Sequence, residues 1–481
     1  MFPGNCPQII LSQCPIGGIL SVKEAAMNIK IPQEINFILE RLNEAGYEAC
    51  IVGGCVRDML MGREPHDFDV TTSARPEQVR ETFEDLLLPD GRKAKVFDTG
   101  IKHGTVTVLA GGEPVEVTTY RTEGAYSDGR HPDSVEFTGS LEEDLARRDF
   151  TMNALAWNPE KGLCDYFGGQ ADIEKGIIRA VGNPDARFKE DALRILRAVR
   201  FASVLGFEIE AGTDAALEAD KELLKKISAE RIREELTKLI TGPDAERILL
   251  KYTDIIGVVI PEIAAMKGFE QCNPHHIYDV LEHSVKAMTS VKPEPYLRWA
   301  ALLHDIGKPE TFTIDENGTG HFYGHAVRSE ELARSIMHRL RFDNETLKQA
   351  ADLVKYHDLQ IELTTKAVKR ALNKLGEETF RDLILIKRAD NMAQHPDFGG
   401  RQEYYDQLED ILDKILEENQ CFSLKDMAAG GNDLIAIGIT DGRQIGQILK
   451  SLLDDVIDGR IANEKEALLK AAKEKKLTET D

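Results

Sequence analysis

GGCVRD at Gly53–Asp58, followed by HDFDV at His66–Val70, is the most informative part of this sequence. A glycine pair that opens a basic turn can bring backbone N–H groups close to phosphates, and Arg57 adds positive charge there. Asp67 and Asp69 lie two residues apart in a β-like run, so both carboxylates would point the same way on a strand. Such hard oxygen ligands suit Mg²⁺, which binds carboxylates together with substrate phosphates. The order of the two motifs favours a site for nucleotidyl transfer over the alternative that they form only a solvated turn.

The composition narrows the class of protein. The seven cysteines are scattered without a CxxC pair, which argues against a disulfide scaffold or zinc ribbon and predicts a cytoplasmic protein. No run approaches the roughly 20 apolar residues of a membrane helix, so no membrane partner is expected. The net charge of −23 argues against RNA binding, because the neutralisation of phosphates needs Lys and Arg. However, net charge does not exclude a local basic groove, and basic helical patterns remain in KELLKKISAERIR and KAVKRALNKL.

The strand and helix patterns predict an α+β fold, with a small mixed sheet in an N-terminal head and helices in the remainder. We expect an N-terminal extension, disordered, over residues 1–30 and the head over residues 31–168. A helical neck is predicted over residues 169–250, a histidine-rich helical domain over residues 270–400, and a helical tail over residues 401–481. In the tail, GRQIG at Gly442–Gly446 opens a helix that either binds a backbone phosphate or is simply capped.

Several ordered motifs give the chain a family resemblance. They are YEACIVGGCVRDMLMGREPHDFDVTTSARPEQV, GIKHGTVTV, VEVTTYRTEG, RRDFTMNALAW, DYFGGQADI and RFKEDALRILRAVRFA, and ISAERIREEL extends the match to about Leu236. The chain resembles the class II tRNA nucleotidyltransferases and bacterial poly(A) polymerases, in the polymerase-beta superfamily. This resemblance implies a polymerase-beta-like head that uses Mg²⁺. It also implies template-independent transfer of CMP, CMP and AMP from CTP and ATP to the 3′ end of tRNA, with release of pyrophosphate.

The motifs supply a set of candidate site residues. Glu116 lies on the alternating strand VEVTTYR and is a candidate third carboxylate beside Asp67 and Asp69, unless it is simply an outward-facing strand residue. We assign no general base apart from these carboxylates. By the resemblance, the nucleotide-binding residues are Gly53, Gly54, Arg57, Arg148, Asp191, Arg194, Arg197 and Arg200.

Asp191 and Arg194 are the candidates for base selection. KEDALRILRAVRFA contains neither Gly nor Pro, which predicts one helix with these two residues on the same face. An aspartate accepts from an exocyclic amine, whereas an arginine donates to a ring nitrogen or carbonyl. Cytosine and adenine both offer an amine beside an acceptor nitrogen, whereas guanine and uracil do not. The pair could therefore select CTP and ATP, and the alternative is an ion pair on a helix surface.

Histidines and aspartates after Pro274 form a second pattern, which resembles the HD phosphohydrolase domain. The resemblance implies that His283, His304, Asp305 and Asp390 hold one ion and that His325 and His357 complete a second position. Imidazole and carboxylate ligands suit Mn, Ni, Fe or Zn. Lys308 matches the lysine after HDIG and could contact phosphate. The alternative is a helical scaffold that keeps its ligands but only supports RNA.

Three functions remain open at this point. The first is a complete CCA-adding tRNA nucleotidyltransferase, with the tRNA 3′ end and acceptor arm, CTP and ATP as partners. The second is a relative with another product, either a poly(A) polymerase or an enzyme that adds only CC or only A. TTSARPEQVRETFEDLL lacks the GRRF-like run of the poly(A) polymerases, and the long segment TEGAYSDGRHPDSVEFTGS argues against a CC-only product. The third is a phosphohydrolase whose head is a vestigial RNA-binding module. The sequence does not predict an oligomeric state.

Overall fold

The structure is a computed structural model that describes residues 31–87, 93–101, 104–110, 113–124, 134–274, 276–394 and 400–478. The predicted extension over residues 1–30 lies outside the described residues. The chain forms two compact units, Met1–Ile227 and Ser228–Asp481. Their boundary falls inside the predicted neck, and the finer domain bounds remain predictions.

Among its described residues, the first unit holds eleven strands and eight α-helices. The strands are β1 (Ala49–Val52), β2 (Asp69–Thr72), β3 (Lys95–Gly100), β4 (Thr105–Ala110), β5 (Glu113–Thr119), β6 (Arg121–Glu123), β7 (Val135–Phe137), β8 (Ala156–Asn158), β9 (Gly162–Cys164), β10 (Ile177–Ile178) and β11 (Glu208–Ile209). The α-helices are α1 (Gln33–Glu44), α2 (Gly54–Leu60), α3 (Pro76–Phe83), α4 (Leu141–Ala146), α5 (Gly169–Lys175), α6 (Pro184–Glu190), α7 (Leu193–Leu205) and α8 (Ala211–Asp220).

A seven-stranded mixed sheet in the order β3-β4-β5-β2-β1-β8-β9 organises this unit. Only β2 and β5 pair in parallel, and the other neighbours in the sheet are antiparallel. The inner strand β1 reads ACIV and is buried along its whole length, as expected for a strand covered on both faces. The α+β fold with a mixed head sheet is therefore confirmed.

The second unit is helical apart from one short hairpin. Its helices are α9 (Ala229–Ile240), α10 (Ala245–Lys251), α11 (Thr253–Gly257), α12 (Pro261–Met266), α13 (Val280–Ser290), α14 (Pro295–Leu303), α15 (Lys308–Thr311), α16 (His325–Arg339), α17 (Asn344–Tyr356), α18 (Thr365–Leu375), α19 (Glu377–Met392), α20 (Gln402–Glu417), α21 (Gly431–Ala436), α22 (Gly442–Ile457) and α23 (Lys465–Thr478). The hairpin strands are β12 (Thr313–Ile314) and β13 (Gly320–His321). None of the helices in the described ranges is long and apolar enough to cross a membrane.

The structure corrects one local prediction and bears on a second. The predicted single helix over KEDALRILRAVRFA is wrong, because α6 ends at Glu190 and α7 begins at Leu193. At the start of α22, the Asp441 carboxylate accepts the Gln444 N–H at 2.8 Å. The helix that GRQIG opens is therefore capped by a carboxylate, which argues against a phosphate at the same position, and phosphate binding there stays a prediction.

Candidate active site

The parallel pairing of β2 and β5 brings two candidate carboxylates together. Asp69 and Glu116 are register partners, so their side chains leave the same face of the sheet. Asp67 precedes β2 instead of lying on it, which corrects the prediction that both aspartates share one strand. Although the Asp69 side chain reaches solvent, burial of its carboxylate raises its pKa. Arg148 lowers that pKa while Asp67 and Glu116 raise it, so all four charges lie within electrostatic reach of one another.

The three carboxylates have the donor chemistry that a hard cation such as Mg²⁺ requires. They do not close into a set with ligand atoms within 4.8 Å of one another, and in the described part of the chain both such sets lie in the second unit. Asp67, Asp69 and Glu116 are all exposed, so a nucleotide could reach them.

Gly53 forms the turn between β1 and α2. Its φ of 85° lies in the left-handed region, which favours glycine. A Cβ at this position would lie 3.0 Å from Arg148 Nη1, so the guanidinium of Arg148 rests directly on the turn. At Gly54, the first residue of α2, a Cβ would lie 3.6 Å from Arg57 Nη2. The glycine pair therefore gives two arginines room beside the backbone.

A buried polar chain links Arg57 to Arg197. Arg57 Nη1 donates to Asn153 Oδ1 at 2.7 Å, and Asn153 Nδ2 donates to Asp149 Oδ1 at 3.1 Å. Asp149 Oδ2 accepts from Arg197 Nε at 2.9 Å and from Nη2 at 2.7 Å. Burial alone would raise the pKa of Asp149, but Arg197 and Asn153 outweigh it and lower the pKa to about 2. Sequence analysis missed Asp149 and Asn153, although both lie in RRDFTMNA.

Phe201 is a second residue that the sequence motifs did not single out. It is buried, and its ring packs edge-to-face on Phe150 with centroids 5.9 Å apart. The guanidinium carbons of Arg57, Arg197 and Arg200 lie 5.1, 5.4 and 3.6 Å from its ring centroid. Cation–π attraction on one aromatic ring thus gathers three of the predicted nucleotide-binding arginines.

Asp191 and Arg194, the candidates for base selection, each make their own set of hydrogen bonds. Arg194 is buried, and its Nη1 donates to Glu190 Oε2 at 2.6 Å and to the Arg187 carbonyl at 3.1 Å. Arg194 Nη2 donates to the Arg147 carbonyl at 3.0 Å. Asp191 lies in the turn before α7, where its Oδ1 accepts the Leu193 N–H at 3.0 Å. The prediction that the pair shares a helix face is therefore wrong, and each residue is fixed by its own contacts.

In the second unit, four of the predicted ligands converge. His283 Nε2 lies 3.3 Å from His304 Nε2 and 3.3 Å from Asp305 Oδ2. It also lies 3.0 Å from Asp390 Oδ1. Asp305 Oδ2 lies 3.1 Å from His304 Nε2. Helices α13 and α19 and the turn that follows α14 supply these residues from positions far apart in the sequence.

The remaining two histidines face the other oxygen of Asp305. His325 Nε2 lies 3.1 Å from His357 Nε2. Asp305 Oδ1 lies 3.5 Å from His325 Nε2 and 3.7 Å from His357 Nε2, and it is buried without a hydrogen-bond partner. Asp305 therefore stands between two groups of ligand atoms, a bridging position that sequence analysis did not foresee.

The hydrogen bonds of the histidines fit a cation-binding role. In each ring Nδ1 lies within hydrogen-bond distance of a backbone carbonyl, which can only accept; the carbonyls belong to Ala393, Ala301, Phe322 and Val354. This leaves the Nε2 lone pairs directed at one another and at the carboxylates, an arrangement that metal-ligating histidines adopt. Burial alone would lower the pKa of His304, but Asp305 and Asp390 raise it to about 10. The two carboxylates thus favour positive charge at His304, whereas burial and the charge of His304 lower the pKa of His357 to about 3.

Two neighbouring residues complete this cluster. Lys308 is buried, and its Nζ lies 2.7 Å from Asp305 Oδ2 and donates to Gln271 Oε1 at 2.8 Å. His276 packs edge-on against His283 with ring centroids 5.2 Å apart, and its Nδ1 is buried without a hydrogen-bond partner. Lys308 therefore compensates the charge of Asp305, and its contact with a phosphate stays a prediction.

The fold of the first unit is that of a nucleotidyltransferase head. The family model for the poly A polymerase head domain matches residues 49–179. The model for an RNA and SrmB-binding site of polymerase A matches residues 206–267, and that for tRNA nucleotidyltransferase domain 2 matches residues 322–472.

Whole-chain comparisons narrow the family. The CCA-adding enzyme of Lactobacillus helveticus is 36% identical over 437 residues, which cover 90% of this chain and 94% of the relative. That of Ligilactobacillus salivarius is also 36% identical, with 91% and 95% covered. The structure of the Bacillus stearothermophilus CCA-adding enzyme in complex with CTP superimposes with a TM-score of 0.68 at 31% identity, covering 94% of this chain and 99% of that one. The chain belongs to the family of CCA-adding enzymes, which are tRNA nucleotidyltransferases.

Proposed function

We propose that the first unit adds C, C and A to the 3′ end of tRNA at the carboxylates of Asp67, Asp69 and Glu116. The observation that carries this proposal is the register pairing of Asp69 with Glu116 beside Asp67 and Arg148. In-line nucleotidyl transfer depends on positioning and charge stabilisation. Three acids and a guanidinium within electrostatic reach of one another can provide both.

In this reaction, the tRNA 3′-hydroxyl attacks the α-phosphate of CTP or ATP and pyrophosphate leaves. Divalent cations, which we propose to be Mg²⁺ held by Asp67, Asp69 and Glu116, would supply charge stabilisation to the attacking and leaving oxygens. Arg148, which rests on the Gly53 turn, would contact the phosphates of the nucleotide. The arginines gathered on Phe201, namely Arg57, Arg197 and Arg200, would shape the positive wall of the nucleotide site.

Base choice is assigned to Asp191 and Arg194. Three of the five Arg194 N–H donors go to Glu190 and to backbone carbonyls, so the plane of the guanidinium is fixed. A fixed donor plane beside a carboxylate suits the acceptor nitrogen and amine of cytosine and adenine. Mismatched contacts at buried polar groups cost about 1–3 kcal/mol each, enough to reject guanine and uracil.

The test is incubation of the protein with tRNA lacking its three terminal nucleotides. We expect two C residues from CTP alone and the full CCA end from CTP with ATP. Long A tails on any RNA would instead identify a poly(A) polymerase, and a single A on tRNA ending in CC, without C addition, would identify an A-only enzyme. Since the partners of this reaction and the free thiols of the described cysteines fit a reducing compartment, we propose the cytoplasm as its location.

A second activity is proposed for the second unit. The bridging position of Asp305 between two histidine groups favours a pair of divalent transition metals, Mn, Ni, Fe or Zn, held also by His283, His304, Asp390, His325 and His357. Such ions would supply Lewis-acid chemistry for phosphate-ester hydrolysis. Metal content and release of phosphate from a phosphate ester such as p-nitrophenyl phosphate test this proposal separately, because a scaffold could bind metal without turnover.

A further inference from the structure

Asp144 is a fully buried carboxylate that none of the sequence motifs assigned to the reaction. It lies on α4 with a relative exposure of 0%. Its Oδ1 accepts from Arg147 Nε at 3.1 Å and Nη2 at 2.8 Å, and from the Arg121 backbone N–H at 3.3 Å. A buried charge persists only when such partners compensate it, so every neighbour of Asp144 matters.

The other oxygen of Asp144 faces the active site. Asp144 Oδ2 accepts the Thr71 hydroxyl at 3.2 Å and lies 3.7 Å from Arg148 Nη2. Thr71 is two residues after Asp69 on β2, so it projects from the same face of the sheet as Asp69. Asp144 therefore packs against the sheet face from which Asp69 projects, two residues further along β2.

Arg148 connects Asp144 to that site. Its guanidinium rests on Gly53 and acts on the charge of Asp69, while its Nε is buried without a hydrogen-bond partner. Burial lowers the pKa of Arg148, and the charges of Asp144, Asp69 and Asp149 oppose that effect. The orientation of Arg148 thus depends on electrostatic attraction more than on a saturated hydrogen-bond network.

We propose that Asp144 is a positioning residue for nucleotidyl transfer, whose buried carboxylate holds Arg148 against the Gly53 turn and thereby directs it at the phosphates of the incoming nucleotide. The proposal rests on the nucleotide site assigned to the first unit above. Two adjacent arginines, Arg147 and Arg148, would repel each other in a buried environment. One carboxylate between them removes that repulsion and fixes both side chains.

The experiment compares Asp144→Asn in two backgrounds, the parent and Arg148→Ala, by steady-state addition of CMP to tRNA lacking its 3′ end. In the parent we expect the KM for CTP to rise about tenfold, the effect of misplacing one charge-assisted contact, with the KM for tRNA unchanged. In the Arg148→Ala background, Asp144→Asn should add less than about twofold, because residues acting through one another are not additive.

Asp172→Asn is the matched control. Asp172 is also buried, accepts the Thr151 hydroxyl at 2.7 Å and pairs with Arg179 Nε at 3.1 Å. It should therefore lose comparable thermal stability without changing the KM for CTP. If Asp144→Asn does not fold, Asp144→Glu keeps the charge but displaces it, and the same dependence on Arg148 is expected.

Equal effects of the Asp144 substitution in both backgrounds, or a KM for CTP that matches the Asp172→Asn control, would overturn the positioning role. Failure of the parent protein to add CMP would instead reject the proposed function itself. The two failures are thus distinguishable.

Discussion

Asp69 and Glu116 stand opposite each other on two parallel strands, although they lie in separate motifs of the sequence. Parallel strands need a crossover connection, and here β3 and β4 are formed within it. The pairing puts two acids on one face, where burial, together with the charges of Asp67 and Glu116, raises the pKa of Asp69. The acidic cluster therefore arises from strand pairing in the sheet. The neighbouring α2 and the Gly53 turn place arginine side chains beside it.

Gly53→Ala should impair CMP addition more than Gly62→Ala. Both glycines have a positive φ, 85° and 69°, so both substitutions strain the backbone. Only at Gly53 would the new Cβ meet a catalytic-site group, Arg148 Nη1 at 3.0 Å, whereas nothing lies within 4 Å at Gly62. Thermal melting and addition rates of both variants check this. Equal loss of activity at equal loss of stability would show that Gly53 serves the fold alone.

Asp191→Ala should relax base choice. The variant keeps α7 and its arginines, so the affinity for the triphosphate should change less than about threefold, while discrimination against UTP and GTP falls about tenfold or more. Addition of each labelled nucleotide to tRNA lacking its 3′ end, measured as kcat/KM, tests this. Asp185→Ala, on α6, is the control because it should change neither quantity. Selectivity equal to that of the parent would reject the assignment of Asp191 to the base.

Asp149 should stabilise the first unit in a pH-dependent way. Its folded-state pKa of about 2 lies below the ordinary value of 3.8, so its contribution is complete above about pH 5 and is lost as the pH falls through 2. The shift corresponds to about 2 kcal/mol at neutral pH. Urea unfolding of the parent and of Asp149→Asn between pH 6 and about pH 2.5 should show two free energies of unfolding that approach each other on acidification. A constant difference across this range would contradict the ion pair with Arg197.

Asp305→Asn should remove more metal from the second unit than His325→Ala. Asp305 faces both groups of ligand atoms, whereas His325 belongs to only one. We expect the parent to bind two ions, His325→Ala about one and Asp305→Asn fewer than one, by elemental analysis after loading with Mn²⁺ and desalting. His338→Ala, an exposed histidine on α16, should keep the parental content. A parent that retains no metal would leave this cluster a structural network of histidines and aspartates.

The head could be predicted from its sequence because its signals are local. The Gly53 turn needs a residue with positive φ, and the acids of HDFDV come directly at the start of a buried strand. The alternating pattern of its strand makes Glu116 a candidate, but its pairing with Asp69 could not be predicted, since register between distant strands depends on the whole sheet. Asp67 lies outside β2 because regular pairing begins at Asp69.

The break before α7 and the bridging role of Asp305 show what local patterns miss. Lys189–Ala202 lacks Gly and Pro, yet Asp191 hydrogen-bonds the Leu193 N–H and ends the preceding helix. Aspartate prefers such positions at helix starts, so this signal was present and was outweighed by the apolar pattern. Asp305 shares its two oxygens between ligands from several helices, which only tertiary packing can determine.

Single-turnover transfer of one labelled CMP to tRNA lacking its 3′ end tests the catalytic role of the acids of the head most directly. The parent and Asp69→Asn are compared at saturating CTP, with CTP binding measured in parallel. We predict that Asp69→Asn slows transfer at least about a hundredfold while it still binds CTP and melts near the parental temperature. Transfer at the parental rate by Asp69→Asn would contradict the assignment of the reaction to this site.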